Sequence, residues 1–131
     1  MAAFYSNTLT CAFSELSSKL DELTENTSIT ISDPENVVIG DSDTNGTLGY
    51  IIKNYTGNFF LDFSISDFSS IAYTGTDNSF FTNCTKLSGM CALPTGITDA
   101  RYTFDGCSNL VAVDTSTLSS VENAMGLFRG C

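Results

Sequence analysis

The chain has 131 residues, enough for one domain with a real core and too few for two of full size. Hydrophobic residues make up 42 % and charged residues only 15 %, the balance of a folded protein whose polar surface comes mostly from Ser, Thr, Asn and Gly. Fifteen acidic against five basic residues leave a formal charge of -10, so nucleic acid and anionic bilayers are repelled.

No apolar run approaches the roughly 20 residues that span a bilayer, and the first ten residues have neither a basic segment nor a continuous apolar one. Membrane insertion is not expected, and this form of the chain carries no recognisable signal peptide. From Leu9 onward, Leu9, Phe13, Leu16, Leu20 and Leu23 follow a 4-3-4-3 spacing, with Glu15, Lys19, Asp21 and Glu22 between them. That stripe predicts a helix of about two heptads, in a segment spanning residues 1–27. It either lies on the adjacent sheet or forms a short coiled coil that oligomerises the chain.

After Asn26 the pattern changes to alternation, in runs 28–32, 36–40, 48–53 and 58–65. Asp33-Pro34 and the segment 41–46 punctuate them as turns. Residues 28–72 are therefore expected to form a small β-rich connector or antiparallel cap. Within it, Asp41-x-Asp43-x-Asn45-Gly46 copies the first half of a calcium loop, where alternate oxygen ligands converge and glycine permits the sharp turn. Position twelve is Ile52 where a bidentate Glu would stand, so Asp41, Asp43 and Asn45 are a weak calcium candidate and an Asx-type turn is the better reading.

The last part, residues 73–131, is periodic. Phe81 and Cys84, Phe104 and Cys107, and Phe128 and Cys131 recur as Phe-x-x-Cys at spacings of 23 and 24 residues. Leu87 and Leu110 each follow a Cys by three, Met90 and Val113 follow by three more, and Ile97 and Val121 each precede the next Phe by seven. One such unit cannot close its own core, so successive coils must stack and bury Phe, Cys and Leu in columns, with short parallel strands at 87–90 and 110–113. The segment 61–71 reads as a degenerate earlier unit. Cysteine suits a column, being small and readily buried. Five cysteines, three nearly evenly spaced, fit buried free thiols better than a disulfide framework.

Residues 80–131 resemble the BspA-like class of leucine-rich repeats, written roughly as F-x-x-C-x-x-L-x-x-[apolar]. Leu93, Pro94, Ile97 and Thr98 stand where that class has its L-P-x-x-[apolar]-T stretch, whereas the next unit lacks the proline. The resemblance implies a short parallel solenoid in a mainly β protein. It also implies adhesion: a surface recognition module that binds a host protein or glycan through the repeat face. A second reading is an oligomeric attachment or fibre component, of a virion for example, assembled by the N-terminal helix. Either places the protein outside cells, at a cell surface or on a virion, and the second brings self-association.

No enzyme is expected. The chain has no histidine, so a Ser or Cys nucleophile lacks the usual base, and no Ser-x-x-Lys or Gly-x-Ser-x-Gly stretch replaces it. Cysteine spacing does not suit zinc, and no cofactor is expected. Tyr50, Tyr55, Tyr73 and Tyr102, with Asn and Ser nearby, are either half-buried strand residues or a recognition surface of rigid rings and adaptable polar groups. The open Phe and Leu column around Leu110, Leu127 and Phe128 is expected to meet a further coil, a second subunit or the folded-back helix.

Overall fold

The computed structural model describes residues 7–131. Its centre is a five-stranded sheet in which every strand runs parallel to its neighbour and spatial order equals chain order. The strands are β1 (Asn7–Cys11), β2 (Thr27–Ile31), β3 (Leu61–Phe63), β4 (Leu87–Met90) and β5 (Ala112–Val113). Register is continuous from β1 to β2, Asn7 facing Thr27 and Cys11 facing Ile31, and Met90 faces Val113 one period later. A bulge after Leu61 sets Asp62 opposite Gly89. The sheet runs without a break across residue 72, where the sequence suggests a boundary.

Helix is scarce. α1 (Leu16–Leu20) and α2 (Leu48–Lys53) are single turns or little more, and among the described residues 3-10 turns cover Phe13–Glu15, Pro34–Asn36 and Leu118–Ser120. The two-heptad helix expected from the stripe is therefore a strand, a 3-10 turn and a short helix. Residues 7–11 alternate exposed Thr8 and Thr10 with inward Leu9 and Cys11 and gain a full ladder of backbone bonds from β2, which the helical 4-3 spacing does not foresee. Leu16 and Leu20 are buried, and Leu9, Phe13 and Leu23 pack half-buried against the same core. The stripe thus lies on the protein's own sheet. The first six residues of that segment lie outside the described part.

The expected connector also differs. Its strands are parallel, because each feeds an excursion that returns the chain to the same end of the sheet. Residues 48–53 are helical: Thr47 caps α2 by accepting the Tyr50 N–H at 3.1 Å, and Leu48 and Ile52 bury one face at i and i+4. Residues 36–40 form no strand; Val38 instead lends its carbonyl to the Leu48 N–H at 2.8 Å.

Away from the sheet a second ladder runs along the stack. Ser79, Phe81 and Asn83 donate backbone N–H bonds to the carbonyls of Arg101, Thr103 and Asp105, at 2.9, 2.8 and 2.7 Å. Tyr102, Phe104 and Gly106 donate in turn to Met125, Leu127 and Arg129 at 3.0, 2.9 and 2.8 Å. Two left-handed residues flank each turn: Ser79 and Asn83, Tyr102 and Gly106, Gly126 and Gly130. The Phe81 and Phe104 rings stack at 5.6 Å between centroids, and Phe104 and Phe128 at 5.7 Å, both nearly coplanar in orientation.

Burial differs along this column: Phe81 and Phe104 are fully buried and Phe128 is 47 % exposed. Phe104→Ala is expected to cost about 3–5 kcal/mol of unfolding free energy, the range for a buried aromatic. Phe128→Ala should cost about 1 kcal/mol or less, since the residue is already nearly half exposed. Chemical denaturation of the two variants checks the contrast; equal losses would mean that the column does not thin toward Phe128.

Candidate binding surfaces

Three surfaces carry the chemistry that the fold arranges. The first is internal and structural. Cys107 Sγ donates to the Phe81 carbonyl at 3.1 Å, Cys131 Sγ to the Phe104 carbonyl at 3.1 Å, and Cys84 Sγ to the Gly49 carbonyl at 3.5 Å. Each thiol therefore reaches back to the preceding pass. Leu87 and Ile97 are buried beside Cys84 and Cys107, Leu110 and Val121 half-buried, and Cys131 exposed. All five cysteines are free. Burial pushes the Cys107 and Cys91 thiols up to about 12 and Cys84 higher still. Such groups are poor nucleophiles and act as packing.

The second surface is the sheet face opposite the core. Thr8 and Thr10 are exposed there and Thr30 is half-buried. Farther along, Asp62 is only 1 % exposed; its carboxylate accepts the hydroxyls of Ser28 and Ser64, each at 3.0 Å, and the Ser64 N–H at 3.0 Å. A Cβ on Gly89 would come 2.2 Å from Asp62 Oδ1, so glycine at that position makes room for the carboxylate. The sequence gives no warning of this group, because Asp in a run of Ser and Phe reads as a solvated strand residue. Its hydrogen-bonding set makes it an ordered part of the sheet.

The third surface is a groove between the two short helices. One cavity of about 290 Å³ is lined by Leu20 and Asp21 at the end of α1, Asn45 in the loop, and Tyr50, Asn54 and Tyr55 on and after α2. A second, of about 250 Å³, shares Leu20, Asp21 and Tyr55 and extends to Gly57, Asn58 and Phe59. The expected calcium loop forms one rim. Asp41 Oδ1 accepts the Asp43 N–H at 2.8 Å, closing an Asx turn, and the Asp43 carboxylate engages Lys53. The segment closes as an Asx turn, and among the described residues no group of three or more Cys, Asp or Glu side chains gathers.

The remaining tyrosines do not join this groove. Tyr73 packs edge-on against Phe80 at 5.3 Å and accepts the Asp77 N–H at 3.0 Å; burial raises its hydroxyl above the ordinary value. Tyr102 lies under the Arg129 guanidinium at 5.2 Å, and Arg129 also pairs with Asp105 across successive passes at 2.6 Å. Arg101 forks onto Asp99, and these bonds hold that carboxyl down to about 2.

No protein-family model matches the chain, and no curated protein or solved structure does so.

The thiols make two predictions. An aromatic disulfide reagent at mildly alkaline pH is expected to label Cys131 and leave Cys84, Cys91 and Cys107 untouched until the protein is unfolded; mass spectrometry of the labelled peptides reads this directly. Because folding raises these thiol pKa values above the ordinary 9.0, the native state holds protons that the unfolded chain gives up. Stability should therefore be intact below about pH 9 and fall as pH climbs toward 12. Urea midpoints across that window, compared with those of the Cys84→Ala, Cys91→Ala and Cys107→Ala triple variant, check the sign and the cause.

Proposed function

We propose that the protein is a non-enzymatic recognition module built as a short solenoid of BspA-like leucine-rich repeats, binding a protein or glycan at a cell surface through its repeat face. One observation carries the reading. The Phe-x-x-Cys turns stack in phase at 23 and 24 residues, bound to one another by alternate backbone N–H groups, while the strands they lead into pair in the same order. Repeat stacks of this kind present long, regular faces suited to partners. The sheet face opposite the core runs on from the repeat strands β4 and β5 to Thr8, Thr10 and Thr30 on β1 and β2, and is such a face. Catalysis gains no support from the site chemistry, since the buried thiols are held protonated and Asp62 is saturated with donors.

The oligomeric attachment reading rests on different ground from the sequence argument, because its two-heptad helix is replaced by β1, a 3-10 turn and the single-turn α1. What favours self-association is an apolar surface where Val111, Met125 and Phe128 are 71 %, 59 % and 47 % exposed. Beside it the amides of Phe128 and Gly130, next in register after Phe104 and Gly106, have no axial partner among the described residues. An unpaired edge next to apolar surface suits a further coil of the same protein or a second chain equally.

Labelled protein is expected to bind intact cells saturably, and Thr10→Lys with Thr30→Lys to abolish that binding without moving Tm. Absence of saturable binding to bacterial, protozoan and animal cells would sink the recognition reading. Sedimentation equilibrium separates the second: a strict monomer at high concentration removes the fibre component.

A further inference from the structure

We infer that the groove between α1 and α2 is a binding site for an uncharged oligosaccharide, with Tyr55 as the stacking platform between two sugar positions. The inference deepens the recognition reading but places this ligand on the helical excursions of the first two passes, away from the repeat face.

The lining supports that chemistry. Pyranose rings present a C–H face that packs on an aromatic ring and a rim of hydroxyls that asks for planar amide and carboxylate partners. The groove offers Tyr50, Tyr55 and Phe59 together with Asn45, Asn54, Asn58 and Asp21. Such a mixture of rigid rings and adaptable polar groups is also what recognition loops use.

Charge narrows the ligand further. The two linings contain one carboxylate, Asp21, and no Lys or Arg. Lys53, the cation on α2, is engaged by Asp43. A phosphate, sulfate or uronate would meet the Asp21 carboxylate without a counterion, in a chain of net charge -10. A neutral polyol meets no such penalty.

Geometry sets the size. The cavities of about 290 and 250 Å³ share Leu20, Asp21 and Tyr55, so they are two adjoining positions on one track. Each lies near the lower end of small-ligand pockets, roughly 300–1,000 Å³. The shared ring of Tyr55 stands where consecutive sugars would both touch it.

The platform is already in place. A Cβ at Gly57 would lie 2.1 Å from the Tyr55 hydroxyl and 2.3 Å from its ring carbon, so the tyrosine lies across Gly57 and any larger residue there displaces it. Asn54 Nδ2 donates to the Tyr50 carbonyl at 2.9 Å, which fixes the amide at the end of α2. Preorganised rings and amides reduce the ordering cost of binding a flexible glycan.

The test is a titration of the full chain, followed by amide chemical shifts, with neutral linear hexasaccharides: maltohexaose, cellohexaose, mannohexaose, xylohexaose and chitohexaose. At least one should perturb amides at residues 17–21 and 45–58 saturably. Tyr55→Ala and Asp21→Ala should each weaken that binding by roughly tenfold or more, Tyr55→Phe should keep it, and Gly57→Ala should weaken it although Tyr55 remains. Asp21 is exposed, so its variant folds even if Tyr55→Ala does not. No perturbation by any of the five sugars would overturn the inference. So would binding that ignores both alanine variants, or tighter binding of a sulfated analogue than of its neutral parent. Thr10→Lys with Thr30→Lys should leave sugar binding intact, so failure here and failure of the repeat-face reading are told apart.

Discussion

Backbone hydrogen bonding between successive passes of the chain is the constraint on which the rest of the structure depends. In the strands it forms the parallel ladder, and in the turns it recurs as N–H donors at every second residue, from Ser79 to Asn83 and again from Tyr102 to Gly106. Two ladders on opposite sides of one pass leave little freedom in its length, which is why Phe81, Phe104 and Phe128 recur within one residue of the same spacing. A buried amide without a partner costs as much as a lost hydrogen bond. An insertion inside a turn would break the sequence of donors, whereas one between turn and strand can bulge outward.

The side chains follow from that geometry. The turn needs left-handed backbone two residues before each Phe and one before each Cys, and glycine meets the requirement at Gly106, Gly126 and Gly130. At Ser79, Asn83 and Tyr102 the strain is tolerated; for Tyr102 it places the ring under Arg129, tying two passes together by charge as well as by backbone. Cysteine occupies the fourth place, three residues after each Phe, because its Sγ–H can turn back to the carbonyl of the preceding pass. Ala would fill less volume there and Ser would bring a more strongly hydrated hydroxyl into an apolar column.

The first two passes solve the same problem differently. In place of the Phe-x-x-Cys turn they carry α1 and α2, and α2 approaches the first such turn so closely that a Cβ on Gly49 would lie 1.8 Å from the Phe80 carbonyl oxygen. The Gly49 carbonyl then receives the Cys84 thiol, taking the role that Phe81 and Phe104 play farther along. Helices are bulkier than turns, so the excursions stand apart and leave the groove at Tyr55 between them.

What the sequence by itself determined is the periodic part: the Phe, Cys and Leu positions, their phase, the strand at Leu87–Met90, the place of a strand expected over 110–113 and formed only at Ala112–Val113, and the burial of Phe81, Cys84, Phe104 and Cys107. Repetition made them legible, because one spacing constrains many residues at once. Only the tertiary structure decided the front half. Leu9, Phe13, Leu16, Leu20 and Leu23 satisfy a helical spacing, yet β2 offers residues 7–11 a complete ladder that a short isolated helix cannot match. Leu48, Ile51 and Ile52 read as a strand, but Thr47 caps a helix there and Gly49 lets it sit against Phe80. The burial of Asp62 and the meeting of Asp21, Asn45 and Tyr55 were likewise hidden, since each joins residues far apart in the chain that only stacking brings together. Local pattern records which faces are apolar; which neighbour covers them is settled by the hydrogen bonds that the whole stack can complete.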